Sequence, residues 1–400
     1  MIRTIFAATL LMAASSVASA QSGWLTVGEA AYLQLKHAGH GVTIRATRAA
    51  RPVAEKVYLL EVKEGDMLRI AGTLHRRQRH CGGFMHHASE AEARQALAAD
   101  PLPPQATRPS YVIANQTVVQ PLLAQMEAAQ IEQTAAGLAA FVNRYYSSPH
   151  GAEASHWLRA RWAALAAAHP AITVRQFAHA GYAQQSVIAT IAGSDKATEV
   201  LVLGAHLDSI NIGSARESAR APGADDNASG VASLTEVLRV IAGSGYRPRR
   251  TIKLIAYAAE EVGLRGSQAI ARDFRANKVD VVGVLQLDMS NYKGSARDIY
   301  LISDYTDAGQ NGFLAQLAAT YLPDVQVGTD RCGYACSDHA AWTAQGYAAS
   351  MPFEAMLTQD NPHIHSQNDT YANSGNQSMH ALKFARLALA FAVELGTDSQ

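Results

Sequence analysis

The sequence predicts an α/β fold with a covered central sheet, and three observations carry that expectation. Apolar runs at 187–191, 200–203, 252–257, 281–287 and 299–302 have strand length, and several are continuous, as strands buried on both faces are. Stretches with helical apolar spacing separate them, such as Val231, Leu234, Val237, Leu238 and Ile241 on one face. The chain has 400 residues, 48% apolar and 17% charged, enough for one large domain and something smaller.

Taken in order, residues 1–20 carry Arg3, an apolar run over 5–14 and the small residues Ala18, Ser19 and Ala20. That is the form of a secretory signal cut after Ala20, with an apolar run too short for a membrane span, so a secreted protein is expected. Residues 21–108 differ from the rest and are expected to form a small, removable α+β prosegment. Within it VYLLEVKEGDMLRIAG reads as strand, turn and strand, SEAEARQALAAD as a helix, and HRRQRHCGGFMHH as a solvated basic face. The four prolines of DPLPPQATRPS, residues 100–110, predict an extended, exposed linker suited to proteolysis. Residues 109–400 then form the main domain, opening with helical spacing over 118–146 and 154–169.

A formal net charge of zero gives no global basic field for nucleic acid or an anionic membrane. Of three cysteines, Cys81 stands alone, whereas Cys332 and Cys336 share TDRCGYACSDH. After export those two are expected to form a disulfide; a ring that small contributes only about 2 kcal/mol, so its use is to shape a turn. No second such pair exists to complete a four-thiolate zinc site.

The stretch AHLDSINIGSARESARAPGADDNASG crowds His206, Asp208, Asp225 and Asp226 into one loop-rich segment. Carboxylates packed that closely repel unless a cation or proton balances them. In α/β folds ligands gather beyond the carboxyl ends of strands. His206 ends VLVLGAH, Glu260 and Glu261 end TIKLIAYAAEE, Asp288 ends VVGVLQLD, Asp226 begins the helix carrying Val231, and His365 lies in NPHIHSQND. Alone, a strand-end histidine is usually structural and a Glu-Glu pair usually a solvated face. Five segments converging on one edge point instead to a metal. Mixed N and O ligation suits zinc, and shared carboxylates allow two ions about 3.5–4 Å apart. In HLD, Asp208 fits as the carboxylate that fixes the tautomer of a ligating imidazole.

With GAHLDS, APGADDNASGVA, AYAAEEVGLRGSQ, LQLDMSNYKGSA, CGYACSDHA, MPFE and NPHIH in order, residues 110–396 resemble the secreted bacterial leucyl aminopeptidases. These are di-zinc exopeptidases of the clan that includes glutaminyl cyclases. The resemblance implies a central mixed, largely parallel sheet flanked by helices, and two Zn2+ ions. Asp226 would bridge both, with His206 and Asp288 completing one and Glu261 and His365 the other. Glu260 would be the general base; spacing alone does not say which of the two glutamates is the ligand. Asp225 would hold the loop. Tyr334 would hydrogen-bond a developing oxyanion, the alternative being packing against the disulfide. Met289, Ile302, Phe353, Leu357 and the 332–336 turn would wall an apolar pocket favouring Leu. The family has aromatic residues where this chain has Leu357 and Asp360, so the pocket is expected to be wider, with Asp360 at the rim improving tolerance for Lys or Arg. The implied partners are peptides with a free N-terminus, and a monomer is expected. A glutaminyl cyclase or a carboxypeptidase on the same fold are the rival enzymes. A silent extracellular binding module predicts lost ligands, whereas all five and Glu260 are present.

Overall fold

A computed structural model describes residues 22–49, 56–78, 83–98, 109–214 and 218–397. The expected signal, most of the proline-rich linker and Cys81 lie outside the described residues.

The first part is a small α+β domain: β1 (Ser22–Gly28), α1 (Glu29–His37), β2 (Thr43–Ala49), β3 (Lys56–Lys63), α2 (Met67–Gln78), β4 (Phe84–His87) and α3 (Glu90–Ala98). Its strands form one antiparallel sheet ordered β2-β3-β1-β4. The stretch expected as strand, turn and strand is a strand followed by a helix. The reason is the spacing of Met67, Ile70, Ala71 and Leu74, whose steps of three and four put one apolar stripe on α2. That stripe is buried with Leu25, Val27, Leu35 and Leu60, and Ile210 of the large domain completes the cluster.

The large domain opens with α4 (Gln116–Leu123), α5 (Ala128–Ala139) and α6 (Pro149–Ala166). The helical pattern over 118–146 is therefore broken after α4, where the Glu127 N–H turns to Glu236 at 2.7 Å. Then follow β5 (Ile172–Phe177), β6 (Ser186–Ile191), β7 (Lys196–His206), α7 (Ala228–Ser244), β8 (Arg250–Tyr257), α8 (Arg265–Ala276) and β9 (Asp280–Gln286). After these come β10 (Ile299–Ile302), α9 (Ala308–Tyr321), β11 (Val327–Asp330), α10 (His339–Ala344), β12 (Ala349–Ser350), β13 (Pro352–Phe353) and α11 (Met379–Thr397). All five strand expectations fall on β6 to β10. The central sheet is mixed, ordered β12-β9-β7-β8-β6-β5, parallel from β12 to β8 and antiparallel from β8 to β5. A second sheet, β11-β10-β13, stands beside it.

Helices α7 and α11 are buried along nearly their whole length and supply much of the core against β7 and β8. The chain entering this core is held by a carboxylate from the far end of the sequence. Glu394 on α11 accepts the N–H of Ala114 at 3.1 Å and both the N–H and side-chain amide of Asn115, at 3.1 and 2.8 Å.

Candidate metal centre

The sheet register aligns the strand ends. His206 pairs with Tyr257, and Gly204 with Gln286, so β7, β8 and β9 finish along one edge. His206, the Glu260–Glu261 turn and Asp288 emerge there. Asp226 arrives at the same edge through the start of α7. Asn227 caps that helix by accepting the Gly230 N–H at 2.9 Å, while its amide donates to the Leu287 carbonyl at 2.9 Å, tying the helix start to the end of β9. His365 comes from the loop before α11. His365, Met289 and Ala259 are all non-glycine residues with left-handed φ, a strain that clusters at functional sites.

All five expected ligands meet as two groups of three that share Asp226: His206, Asp226 and Asp288, and Asp226, Glu261 and His365. His206 Nε2 lies 3.0 Å from Asp226 Oδ1 and 3.3 Å from Asp288 Oδ1. His365 Nε2 lies 2.9 Å from the other oxygen of Asp226 and 2.8 Å from Glu261 Oε2. Glu260 approaches His206 only to 4.0 Å, and neither of its carboxylate oxygens has a hydrogen-bond partner among the described residues. His206 Nε2, Asp288 Oδ1 and Glu261 Oε1 also make no hydrogen bond there. Every one of these side chains is buried.

That donor set fits a divalent metal. Burial and the neighbouring Asp226 push Glu261 up to about 7, and burial, against the opposing pull of His206, leaves Glu260 well above the carboxylate range. The protein alone therefore resists ionising all its site carboxylates, while the ligand atoms of each triad lie within 4.8 Å of one another. Cations between them remove the conflict.

Supporting contacts differ in part from expectation. His206 Nδ1 donates to the Asp208 main-chain carbonyl at 3.2 Å, with the Asp208 carboxylate further away at 3.5 Å. The carboxylate is engaged elsewhere: its two oxygens accept the main-chain N–H groups of Glu260 and Glu261, at 3.0 and 3.1 Å. Asp225 accepts from the Asn291 N–H and the Asn361 side-chain amide, away from both triads.

Sequence reasoning missed three residues. Asp369 accepts the successive N–H groups of Asp225 and Asp226 at 3.0 and 3.1 Å. Ser337 donates to Asp288 Oδ2 at 2.5 Å. The fully buried Arg144 binds the carbonyls of Leu207, Pro222 and Gly223 under the His206 and Asp226 loops. Asp369 ends the quoted NPHIHSQND and Ser337 lies in CGYACSDHA, yet neither stood out beside the ligands there; for Arg144 the only signal was a charged residue in an otherwise apolar and aromatic context.

Met289, Ile302, Phe353, Leu357, Cys332 and Cys336 form one buried apolar cluster with Met351 and Ile364. Cys332 and Cys336 are disulfide-bonded, with Cα atoms 5.9 Å apart. Asp360 sits in the same loop as Leu357 and Ile364 and is buried. Tyr334, between the cysteines, neither packs alone nor faces the ligands freely: its hydroxyl donates to Thr26 of the small domain at 2.9 Å. Burial pushes that phenol up to about 12.

The small domain docks directly over this region. The His75 ring lies 4.3 Å from the His365 ring, centre to centre. Gly83 donates to the Ala335 carbonyl, and the His86 N–H to the Gly263 carbonyl at 3.0 Å. Gly263 is left-handed, and a Cβ there would meet His86 N at 2.7 Å, so only glycine permits the approach. Glu64 pairs with Arg265 at 2.6 Å and with His86 at 3.0 Å. His75 and His86 thus contact the large domain, and His87 is buried against Thr26 within the small one, rather than forming a solvated basic face, because α2 and β4 turn them inward.

The sequence profile described as Peptidase family M28 matches residues 186–390. The chain is 38% identical to leucine aminopeptidase 1 of Aspergillus niger over 291 residues, covering 69% of this chain and 73% of that protein. It is 32% identical to a probable aminopeptidase of Saccharomyces cerevisiae, covering 72% and 78%. Among solved structures, the LapA aminopeptidase of Legionella pneumophila superimposes with a TM-score of 0.82 at 28% identity, covering 95% of this chain and 99% of that one. A match that long takes in most of the small domain as well. A glutaminyl cyclase of Porphyromonas gingivalis, 18% identical with a TM-score of 0.54 over 66% of this chain and 96% of that one, shares the fold.

Proposed function

The chain belongs to peptidase family M28, and from that premise we propose that it is a secreted two-zinc aminopeptidase removing Leu or another large apolar residue from peptide N-termini. The observation that carries this reading is the pair of buried ligand triads joined at Asp226, with Glu260 beside them holding two unpartnered oxygens. The apolar cluster at Met289, Ile302, Phe353 and Leu357 and the leucine aminopeptidases among its relatives support the substrate preference. Secretion is supported by the sequence of residues 1–20; no helix among the described residues is long and apolar enough to cross a membrane.

His206, Asp226 and Asp288 would hold one zinc, and Asp226, Glu261 and His365 the other. When bound, zinc supplies Lewis acidity that polarises a scissile carbonyl and lowers the pKa of a water toward neutrality. Glu260 takes the proton from the attacking water and delivers it to the departing amine. Its main-chain N–H is fixed by Asp208, which keeps the carboxylate beside the ligands without occupying its oxygens. Tyr334 donates to the oxyanion once its bond to Thr26 is released. The Thr26, His75 and Glu64 contacts support residues 21–108 as a prosegment that masks the site until it is removed.

The test is metal analysis of the processed protein joined to hydrolysis of leucyl anilide with and without chelator. The expected result is two zinc ions per chain, activity lost on chelation and restored by zinc, and no cleavage of N-acetylated substrate. Cyclisation of a glutaminyl peptide with one zinc per chain would support the cyclase instead, and cleavage of an N-blocked peptide from its C-terminus a carboxypeptidase.

A further inference from the structure

Asp360 lies where two surroundings meet. Leu357 and Ile364, on either side of it in the loop, belong to the apolar cluster with Met289 and Phe353. Two residues of the metal centre, Asp226 and His365, act on it electrostatically, as do the acids Asp225 and Glu354. The residue is only 7% exposed, and its Oδ2 makes no hydrogen bond among the described residues. No lysine or arginine of the described residues forms an ion pair with it. A buried carboxylate oxygen left without a partner is destabilising, and three acidic neighbours make it more so. Such a group is explained when a ligand brings the missing positive charge.

We propose that Asp360 receives the cationic side chain of a substrate whose N-terminal residue is Lys or Arg, the apolar cluster taking the methylene stem and the carboxylate the charge. The inference rests on the aminopeptidase reading and extends its substrate class from apolar to long basic residues. A stem of methylenes fits an apolar wall as a leucine does, and a charge-assisted hydrogen bond at its end adds what the wall cannot.

Lysyl and norleucyl anilides share the stem and differ in the terminal ammonium, so their ratio isolates the charge. In the processed, zinc-loaded enzyme, D360N lowers the lysyl-to-norleucyl ratio of kcat/KM by ~10- to 100-fold, mainly through KM for the lysyl substrate. Inhibition by free lysine weakens relative to norleucine by the same factor. D360E, which keeps the charge, retains the lysyl preference. A ratio within about twofold of wild type in D360N, or lost equally in D360N and D360E, overturns the proposal. Wild-type protein that cleaves neither anilide refutes the aminopeptidase reading itself, a distinct result.

Discussion

Asp369 does for Asp225 and Asp226 what Asp208 does for Glu260 and Glu261: one carboxylate takes two successive main-chain N–H groups and so orients a pair of acids. Asp369→Asn leaves one amide of that pair facing an NH2 group and should weaken zinc binding ~10- to 100-fold, measured by chelator competition. Unaltered zinc affinity would mean that Asp369 only supports the loop. Glu260→Ala should keep its zinc and lose ~100- to 10,000-fold in kcat/KM on leucyl anilide. Loss of zinc instead would exchange the roles of Glu260 and Glu261. The candidate ligands were legible in the sequence because histidines and acids at strand ends are conspicuous among apolar runs. Asp369, Ser337 and Arg144 were not, since each acts on an atom that only the folded chain brings near, and two of the three bind main-chain groups that carry no residue signature.

At the scale of elements, the strands β6 to β10 were legible because continuous apolar runs of strand length have few other uses in an α/β chain. Helix α2 was not. Its apolar residues follow a strand closely, and their helical stripe is short beside the strand run that precedes it, so the period-3.6 pattern shows only where β1, α1 and β3 cover it. Nor could sequence spacing reveal that Thr26 on β1 meets Tyr334, 308 residues later. Thr26→Val should free the Tyr334 hydroxyl and raise leucyl anilide turnover by the unprocessed chain several-fold, by analogy with the worth of one catalytic donor, about 10-fold or more. No change would separate Tyr334 from the chemistry. The Glu64 contact adds a pH dependence. Burial alone would raise this carboxyl, but the His86 hydrogen bond and the Arg265 charge outweigh it and hold it at about 2, below its ordinary 4.5. A depressed pKa stabilises the docked state fully above the ordinary value and loses that contribution as pH falls from about 4.5 toward 2. Calorimetry should therefore show Glu64→Gln melting below wild type at about pH 6, with the gap narrowing below about pH 4.5 and closing only near pH 2. A constant gap would indicate that the ion pair contributes nothing to docking.

For the molecule as a whole, the metal centre joins β7, β8, β9, α7 and the His365 loop, so emptying it affects stability as well as activity. A ligand at ~1,000 times its Kd adds about 4 kcal/mol to the folded state, and for a domain of this size chelation should lower Tm by about 10 °C. Scanning calorimetry before and after chelation reads this directly; an unshifted Tm would argue that zinc is not bound in the folded protein. The mixed, largely parallel character of the sheet was implied only by the family resemblance and its strand order was not legible at all, because apolar runs identify strands without saying which neighbours they take or in what direction.

Glu394 gives the large domain an independence from whatever precedes it. The carboxylate moors Ala114 and Asn115 to helix α11, so the path of the backbone is fixed from there onward by contacts wholly inside the larger body. If residues 21–108 are the proposed prosegment, a cut between Ala98 and that anchorage would let the smaller unit depart without pulling a thread loose from the larger one: maturation would then be an undocking, with no part of the sheet or its helices rebuilt afterwards.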